Sequence, residues 1–262
     1  MTTAREVVKV GREGREAGTD HLVTEAPLEL RLGRTPVAVL MRTPGDEADL
    51  ALGFALTEGM VLSPDEVGEV RPVPQAPDDN RWEIVLIDGV GVDPAQFQRN
   101  LYTTSSCGVC GKASIDAVRI AARPPPPGPV VTPEALLALP GKMRAAQETF
   151  QRTGGLHAAA AFTAEGDLLA LREDVGRHNA VDKLVGTLAG RGWPLGELIM
   201  LVSGRVSFEM VQKAGVAGIP LICGVSAASS LAVELAEELG LTVVGFLRGE
   251  GFNLYAGEQR LR

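Results

Sequence analysis

Short apolar runs, set off by glycine and proline, divide the chain into elements. Glu25 to Leu32 and Pro36 to Arg42 read as two strands joined across Gly33-Arg34-Thr35. Asp46 to Thr57 opens with acidic residues and carries Leu50, Ala51 and Phe54 on one face, which predicts a helix. Trp82 to Ile87 predicts a strand after the proline-rich Arg71 to Pro77. Lys112 to Arg123 spaces Ile115, Val118 and Ala122 as an amphipathic helix would. Pro124 to Pro129 cannot continue a helix and is stiff and extended, so it marks the best boundary in the chain. Pro133 to Arg152 predicts a helix, with a break near Pro140-Gly141.

Beyond that point the alternation is regular. His157 to Thr163 and Leu168 to Arg172 flank Glu165-Gly166-Asp167 as a hairpin would. Helices are expected at Asn179 to Leu188, Ser207 to Ala217 and Ser229 to Leu239. Strands are expected at Leu198 to Ser203, Leu221 to Val225 and Thr242 to Leu247, the last of the chain. Near-continuous apolar strands alternating with helices predict an α/β domain over residues 130–262, its sheet mostly parallel and covered by helices on both sides. A smaller α+β region is expected over 21–123, and residues 1–20, polar and charged with both signs, read as a flexible tail.

Composition narrows the function classes. The net charge of −8 disfavours nucleic acid and anionic membrane surfaces, and 4% aromatic residues leave little for base stacking. No run approaches the roughly 18 to 20 apolar residues of a membrane span, and the N-terminus has no apolar signal core. Three cysteines in 262 residues do not make a disulfide scaffold. A cytoplasmic protein is expected.

Two of those cysteines lie in Ser105-Ser106-Cys107-Gly108-Val109-Cys110-Gly111-Lys112, too poor in bulk for a core and placed before an expected helix. The helix dipole and Lys112 both favour thiolate, the reactive form. A structural zinc site would need two more ligands, and no second pair exists; Cys223 sits in an apparent buried strand. A redox dithiol would share the C-x-x-C spacing, but here glycines flank it and no thioredoxin-like βαβ run precedes it. A deaminase would need a glutamate where His157-Ala158-Ala159 has Ala159, and its cysteine pair would follow the histidine. A mobile, nucleophilic cysteine that carries sulfur remains.

The strand ends supply a second feature. Ligands of open α/β sheets bind outside the carboxyl ends of the strands. Three such ends are small or polar: Ser203-Gly204-Arg205, Ser226-Ala227-Ala228-Ser229-Ser230 and Arg248-Gly249-Glu250-Gly251. Two lead into helix N-termini, so an anionic ligand is expected there, although ordinary βα turns share this composition. Glu173 to Lys183 packs six ionisable side chains into eleven residues around His178. That density fits acid–base or ligand chemistry, helix capping by Asp174 or Asn179, or a solvated face.

Four segments together resemble one family: Ser106 to Lys112, Gly154 to Ala159, Arg172 to Lys183, and Ser203 to Lys213, in this order. The chain is similar, from about Glu25 to Tyr255, to the FdhD family of formate dehydrogenase accessory sulfurtransferases. The resemblance implies a cytoplasmic homodimer with a cytidine-deaminase-like C-terminal domain. It implies that sulfur from a cysteine desulfurase passes to the molybdenum or tungsten bis-guanine-dinucleotide cofactor of formate dehydrogenase, bound as a client, with no permanently bound cofactor. Cys107 then matches the persulfide-forming cysteine and Cys110 its assistant. Phe246, Leu247, Arg248, Gly249, Glu250 and Gly251 fall on the segment that holds the cofactor. Ala228 departs from the proline of many members. A cofactor-inserting chaperone and a dithiol oxidoreductase remain as alternatives.

Overall fold

The chain opens on a hairpin where a flexible tail is expected. In the computed structural model, which describes residues 2–74, 76, 79–93, 97 and 124–262, β1 (Thr2–Gly11) and β2 (Gly14–Val23) pair antiparallel along their whole lengths. Thr2, Thr3, Val7, Val8 and Val10 favour extended backbone. Charged residues on both faces, nearly all exposed, hide the two-residue period that would announce a strand. The hairpin forms a sheet of its own, and Arg152 donates to the Thr2 hydroxyl at 3.2 Å.

The expected strands and helix follow as β3 (Ala26–Leu32), β4 (Thr35–Arg42) and α1 (Glu47–Thr57). Then come β5 (Val67–Pro72), which the sequence did not announce, and β6 (Arg81–Leu86). These strands make a sheet in the order β4-β3-β6-β5, in which only the β3–β6 pairing is parallel. Pro72 is tolerated because β5 lies at the edge.

After the proline run, α2 (Pro133–Ala146) passes through Pro140, and the break falls instead at Gln147, before α3 (Glu148–Thr153). Thr132 caps the start of α2, and Leu136, Leu139 and Met143 bury one stripe around the proline, holding the helix together. Next come β7 (His157–Phe162), β8 (Leu168–Asp174), α4 (Arg177–Ala189), β9 (Ile199–Val202), α5 (Phe208–Ala217), β10 (Leu221–Gly224), α6 (Ser230–Leu239), β11 (Thr242–Arg248) and an unforeseen β12 (Gly251–Ala256). The expectation of a mostly parallel sheet needs correction. Its order is β12-β11-β10-β9-β7-β8, and only β9, β10 and β11 run parallel. The short β7–β8 and β11–β12 connections allow only antiparallel partners.

Alternate residues of this sheet feed two cores. Ala158, Ala160, Leu201, Cys223 and Val244 pack with α2, whereas Ala159, Ala161, Met200, Ile222 and Val243 join α4, α5 and α6. The latter core continues without interruption into α1 and the four-stranded sheet. Two glycines let α1 and α4 touch backbone to backbone. A Cβ on Gly53 would stand 1.8 Å from the Asp182 carbonyl oxygen, and one on Gly186 1.9 Å from that of Asp49. A buried ion pair locks the crossing: Lys213 Nζ of α5 donates to Asp182 at 2.8 Å and to the Thr57 hydroxyl at 2.9 Å.

Candidate functional site

Cys107, Cys110, Lys112 and the expected helix to Arg123 lie outside the described residues. The third cysteine is inside the core. Cys223 on β10 is fully buried on the α2 side of the sheet, and burial drives its thiol far above the ordinary range. It is a packing residue without thiolate character.

The three strand ends singled out from the sequence come together. The loop after β9 is stitched to the loop after β10: Val206 N–H donates to the Ala227 carbonyl and Ser229 N–H to the Val206 carbonyl, both at 3.0 Å. The loop after β10 is stitched to β11 by Phe246 N–H donating to the Ser226 carbonyl at 2.9 Å. Gly224 makes this closeness possible, since a Cβ there would lie 2.7 Å from Val206 Cγ2. Ser207 and Ser229, which precede α5 and α6, form no side-chain cap; in α5 the Glu209 carboxylate engages its own backbone N–H, whereas the first N–H groups of α6 have no side-chain cap at this edge.

The third strand end is a tight turn between β11 and β12. Phe246 takes a left-handed backbone conformation (φ 52°), and the Arg248 guanidinium lies over its ring, 5.4 Å from the centroid. Arg248, Gly249, Glu250 and Gly251 are exposed. Leu247 is fully buried with the α2-side core and offers no open surface of its own.

Beside these loops stands a cationic group. His157 begins β7, which runs antiparallel to β9 and so starts where β9 ends. The Ser203 hydroxyl accepts from Ala158 N–H at 2.9 Å and fixes this junction. A Cβ on Gly204 would lie 3.6 Å from His157 Nδ1 and 3.9 Å from Arg177 Cδ. Burial, then the charges of Arg177 and His178, hold His157 below its ordinary value, against an opposing pull from Asp174. His178 Nε2 stands 4.0 Å from Glu209 Oε2, a charge contact beyond hydrogen-bonding distance.

The dense segment from Glu173 to Lys183 divides by role. Glu173 accepts the Thr149 and Phe150 N–H groups at 3.0 and 2.8 Å and so caps α3. Asp174, fully buried, accepts from Lys183 Nζ at 2.9 Å, Thr43 N–H at 3.1 Å, Gly176 N–H at 2.8 Å and Asn179 Nδ2 at 2.9 Å. Asn179 Nδ2 also donates to the Met41 carbonyl at 2.7 Å, and Lys183 to that of Thr43 at 2.8 Å. These contacts tie the end of β4 to the start of α4. Neither Asp174 nor Asn179 is the N-cap of α4; Gly176 is, with no side chain to offer. With Asp182 in the ion pair beneath α1, four of the six ionisable residues are structural. Arg177 and His178 are left over, each with a buried nitrogen, Nε and Nε2, that has no hydrogen-bond partner. Sequence reasoning missed the tie from Thr43 to Asp174 because it spans 131 residues.

Among the described residues no group of three His, Cys, Asp or Glu gathers at metal-ligand spacing, and no helix is long and apolar enough to cross a membrane.

Comparison with known proteins gives concordant matches. A family model described as the FdhD/NarQ family matches residues 23–262. The sulfur carrier protein FdhD of Streptomyces avermitilis is 51% identical over 270 residues, covering 100% of this chain and 96% of the relative. The protein of the same name from Sulfolobus acidocaldarius is 40% identical, covering 97% and 96%. The crystal structure of a candidate formate dehydrogenase accessory protein from Desulfotalea psychrophila shares the fold. Its TM-score is 0.79 at 22% identity, over 100% of this chain and 99% of that one.

Proposed function

This chain belongs to the FdhD/NarQ family, and from that premise we propose that it is a sulfur carrier with Cys107 as the carrying residue. The observation that carries this reading is the distribution of thiols. Of three cysteines, Cys223 is sealed in the core, which leaves the glycine-flanked Cys107 and Cys110.

In the first step the Cys107 thiolate attacks the outer sulfur of a persulfide on a cysteine desulfurase. The donor S–S bond breaks, the donor cysteine leaves as thiolate, and Cys107 becomes a persulfide with no net oxidation. In the second step the outer sulfur passes to the molybdenum or tungsten bis-guanine-dinucleotide cofactor. The two electrons that convert it to sulfide come from the metal of that substrate, and Cys107 returns as thiolate. Cys110 assists or protects. Phe246, Arg248, Gly249, Glu250 and Gly251 hold the nucleotide end of the cofactor, with the buried Leu247 anchoring their turn in the core. The exposed turn, the Arg248 guanidinium and the uncapped start of α6 support an anionic ligand there. The protein works as a cytoplasmic homodimer that binds the cofactor only as a client, and formate dehydrogenase receives it. The C-terminal half is assigned a cytidine-deaminase-like fold on the same family premise.

The test is intact-mass spectrometry after incubation with a cysteine desulfurase and cysteine. Wild type should gain one sulfur, about 32 Da, and Cys107→Ala should gain none. Absence of added sulfur on the wild type, with guanine-nucleotide binding intact, would establish an inserting chaperone instead.

A further inference from the structure

The hairpin of β1 and β2 is the element to which neither the core nor the crevice gives work. It forms a sheet of its own, and among the described residues no third strand joins it. β2 lies against α3, where Val23 meets Gly155, whereas the outer edge of β1 is open. Nearly every residue of the hairpin is exposed, Val8 by 64% and Val10 by 69%. The family model matches residues 23–262 and so leaves the hairpin out.

A two-stranded hairpin with no core behind it is marginal in water, and a free strand edge is a template for another strand. Natural edges are guarded by proline, by a bulge or by a covering segment. β1 has no proline, keeps an unbroken register with β2 from Thr2 to Gly11, and is rich in Val and Thr. β2 carries Gly14 and Gly18 and is the poorer strand former.

Charge selects the partner. Between Thr2 and Val23 four basic and four acidic residues balance, so the whole net charge of −8 lies elsewhere in the chain. Two copies, which repel each other overall, meet at this neutral element with the least electrostatic cost. Charge also selects the register. Alternate residues of β1 turn N–H and C=O outward, so an antiparallel copy must set even residues opposite even and odd opposite odd. Four such registers overlap over more than half the strand, centred on Arg5, Glu6, Val7 or Val8. The first two oppose like charges at the centre, and the third sets Arg5 opposite Lys9 twice. Only the register centred on Val8 has no like charges face to face. It puts Glu6 opposite Val10, Lys9 opposite Val7 and Arg5 opposite Gly11.

We propose that the free edge of β1 pairs antiparallel with β1 of a second copy, Val8 on Val8, to make a four-stranded sheet across a two-fold axis. Residues 5–11 of each copy overlap. This contact is small beside the roughly 1,200 to 2,000 Å² of a stable interface, so it fastens a dimer whose bodies also touch. The inference rests on the homodimer reading above and gives it a surface.

The test places cysteines on β1 of the full chain, in a background of Cys107→Ser and Cys110→Ser, with Cys223 sealed in the core. Directly opposite Cβ atoms stand about 4.5–5.5 Å apart, so mild oxidation should join Val8→Cys copies by a disulfide. Val10 of one copy lies about 14 Å along the strands from Val10 of the other, so Val10→Cys should link at least about fivefold more slowly. A mixture of Glu6→Cys and Val10→Cys chains should link faster than either alone. In sedimentation, Val8→Lys, which sets like charges face to face, should raise the dimer dissociation constant by about threefold or more. Equal linking of Val8→Cys and Val10→Cys, no covalent dimer from Val8→Cys, no gain in the mixture, or an unchanged constant in Val8→Lys would overturn the pairing. A wild-type dimer alongside any of these leaves the homodimer standing on another surface, whereas a wild-type monomer overturns both.

Discussion

Burial raises a carboxyl pKa, yet Glu209 is lowered to about 2, because His178, its own backbone N–H and the Ser207 hydroxyl outweigh the burial. The sign of the resulting pH effect is fixed. With a folded value below the ordinary 4.5, unfolding takes up a proton, so this contribution is complete above about pH 4.5 and lost as pH falls towards 2. Glu209→Gln should therefore be less stable than wild type at neutral pH and should show a shallower loss of stability on acidification in urea titrations. Cys223 makes a second expectation at this scale. Sealed in the core with its thiol pushed up, it should resist alkylation in the native protein and react only on unfolding, as intact-mass counting would show. Among the polar residues, the sequence marked Glu173 to Lys183 as dense in charge but could not sort it. Asp174 and Arg177 are equally hydrophilic on paper. One turns inward onto Thr43 from a distant strand, and the other stops at the crevice, so only the tertiary contact separates their roles.

Helix α1 and helix α4 meet through glycines, and this reverses the usual effect of a helical glycine. Propensity alone would have Gly53→Ala or Gly186→Ala gain about 1 kcal/mol. The added methyl would instead overlap the backbone of the facing helix, at 1.8 and 1.9 Å from a carbonyl oxygen. Each substitution should therefore destabilise by about 2 kcal/mol or more, measured by urea denaturation, because the helices must separate and the core between them loosen. Elements dense in apolar residues and set off by turn residues, such as α1, β9, β10 and β11, could be read directly from the chain. The missed elements share a physical cause: β1, β2, β5 and β12 are half-exposed or edge strands whose side chains answer to water as much as to a core. Pro140 misled for the opposite reason, since packing of Leu136, Leu139 and Met143 outweighs one lost backbone hydrogen bond. At the crevice the three loops were legible as Gly- and Ser-rich strand ends, whereas the approach of His157 and Arg177 to Gly204 was not, because His157 reaches it from an antiparallel strand.

The four-stranded and six-stranded sheets share one continuous core, and the molecule should unfold as a unit. Trp82 lies on β6 of the four-stranded sheet, and Trp193 follows α4 and donates its indole N–H to the Leu62 carbonyl at 3.0 Å. Trp82→Phe and Trp193→Phe leave one reporter in each half of the chain. Their fluorescence transitions in urea should coincide, and a separation of the two midpoints would show that the halves unfold independently. The same shared core imposes an order on biosynthesis. Thr57 bonds to Asp182, which is 125 residues further along the chain, so the glycine face of α1 waits for its partner through about 6 to 25 s of translation. During that interval the apolar underside of the first sheet is uncovered, and the emerging chain is a natural client for ribosome-bound chaperones.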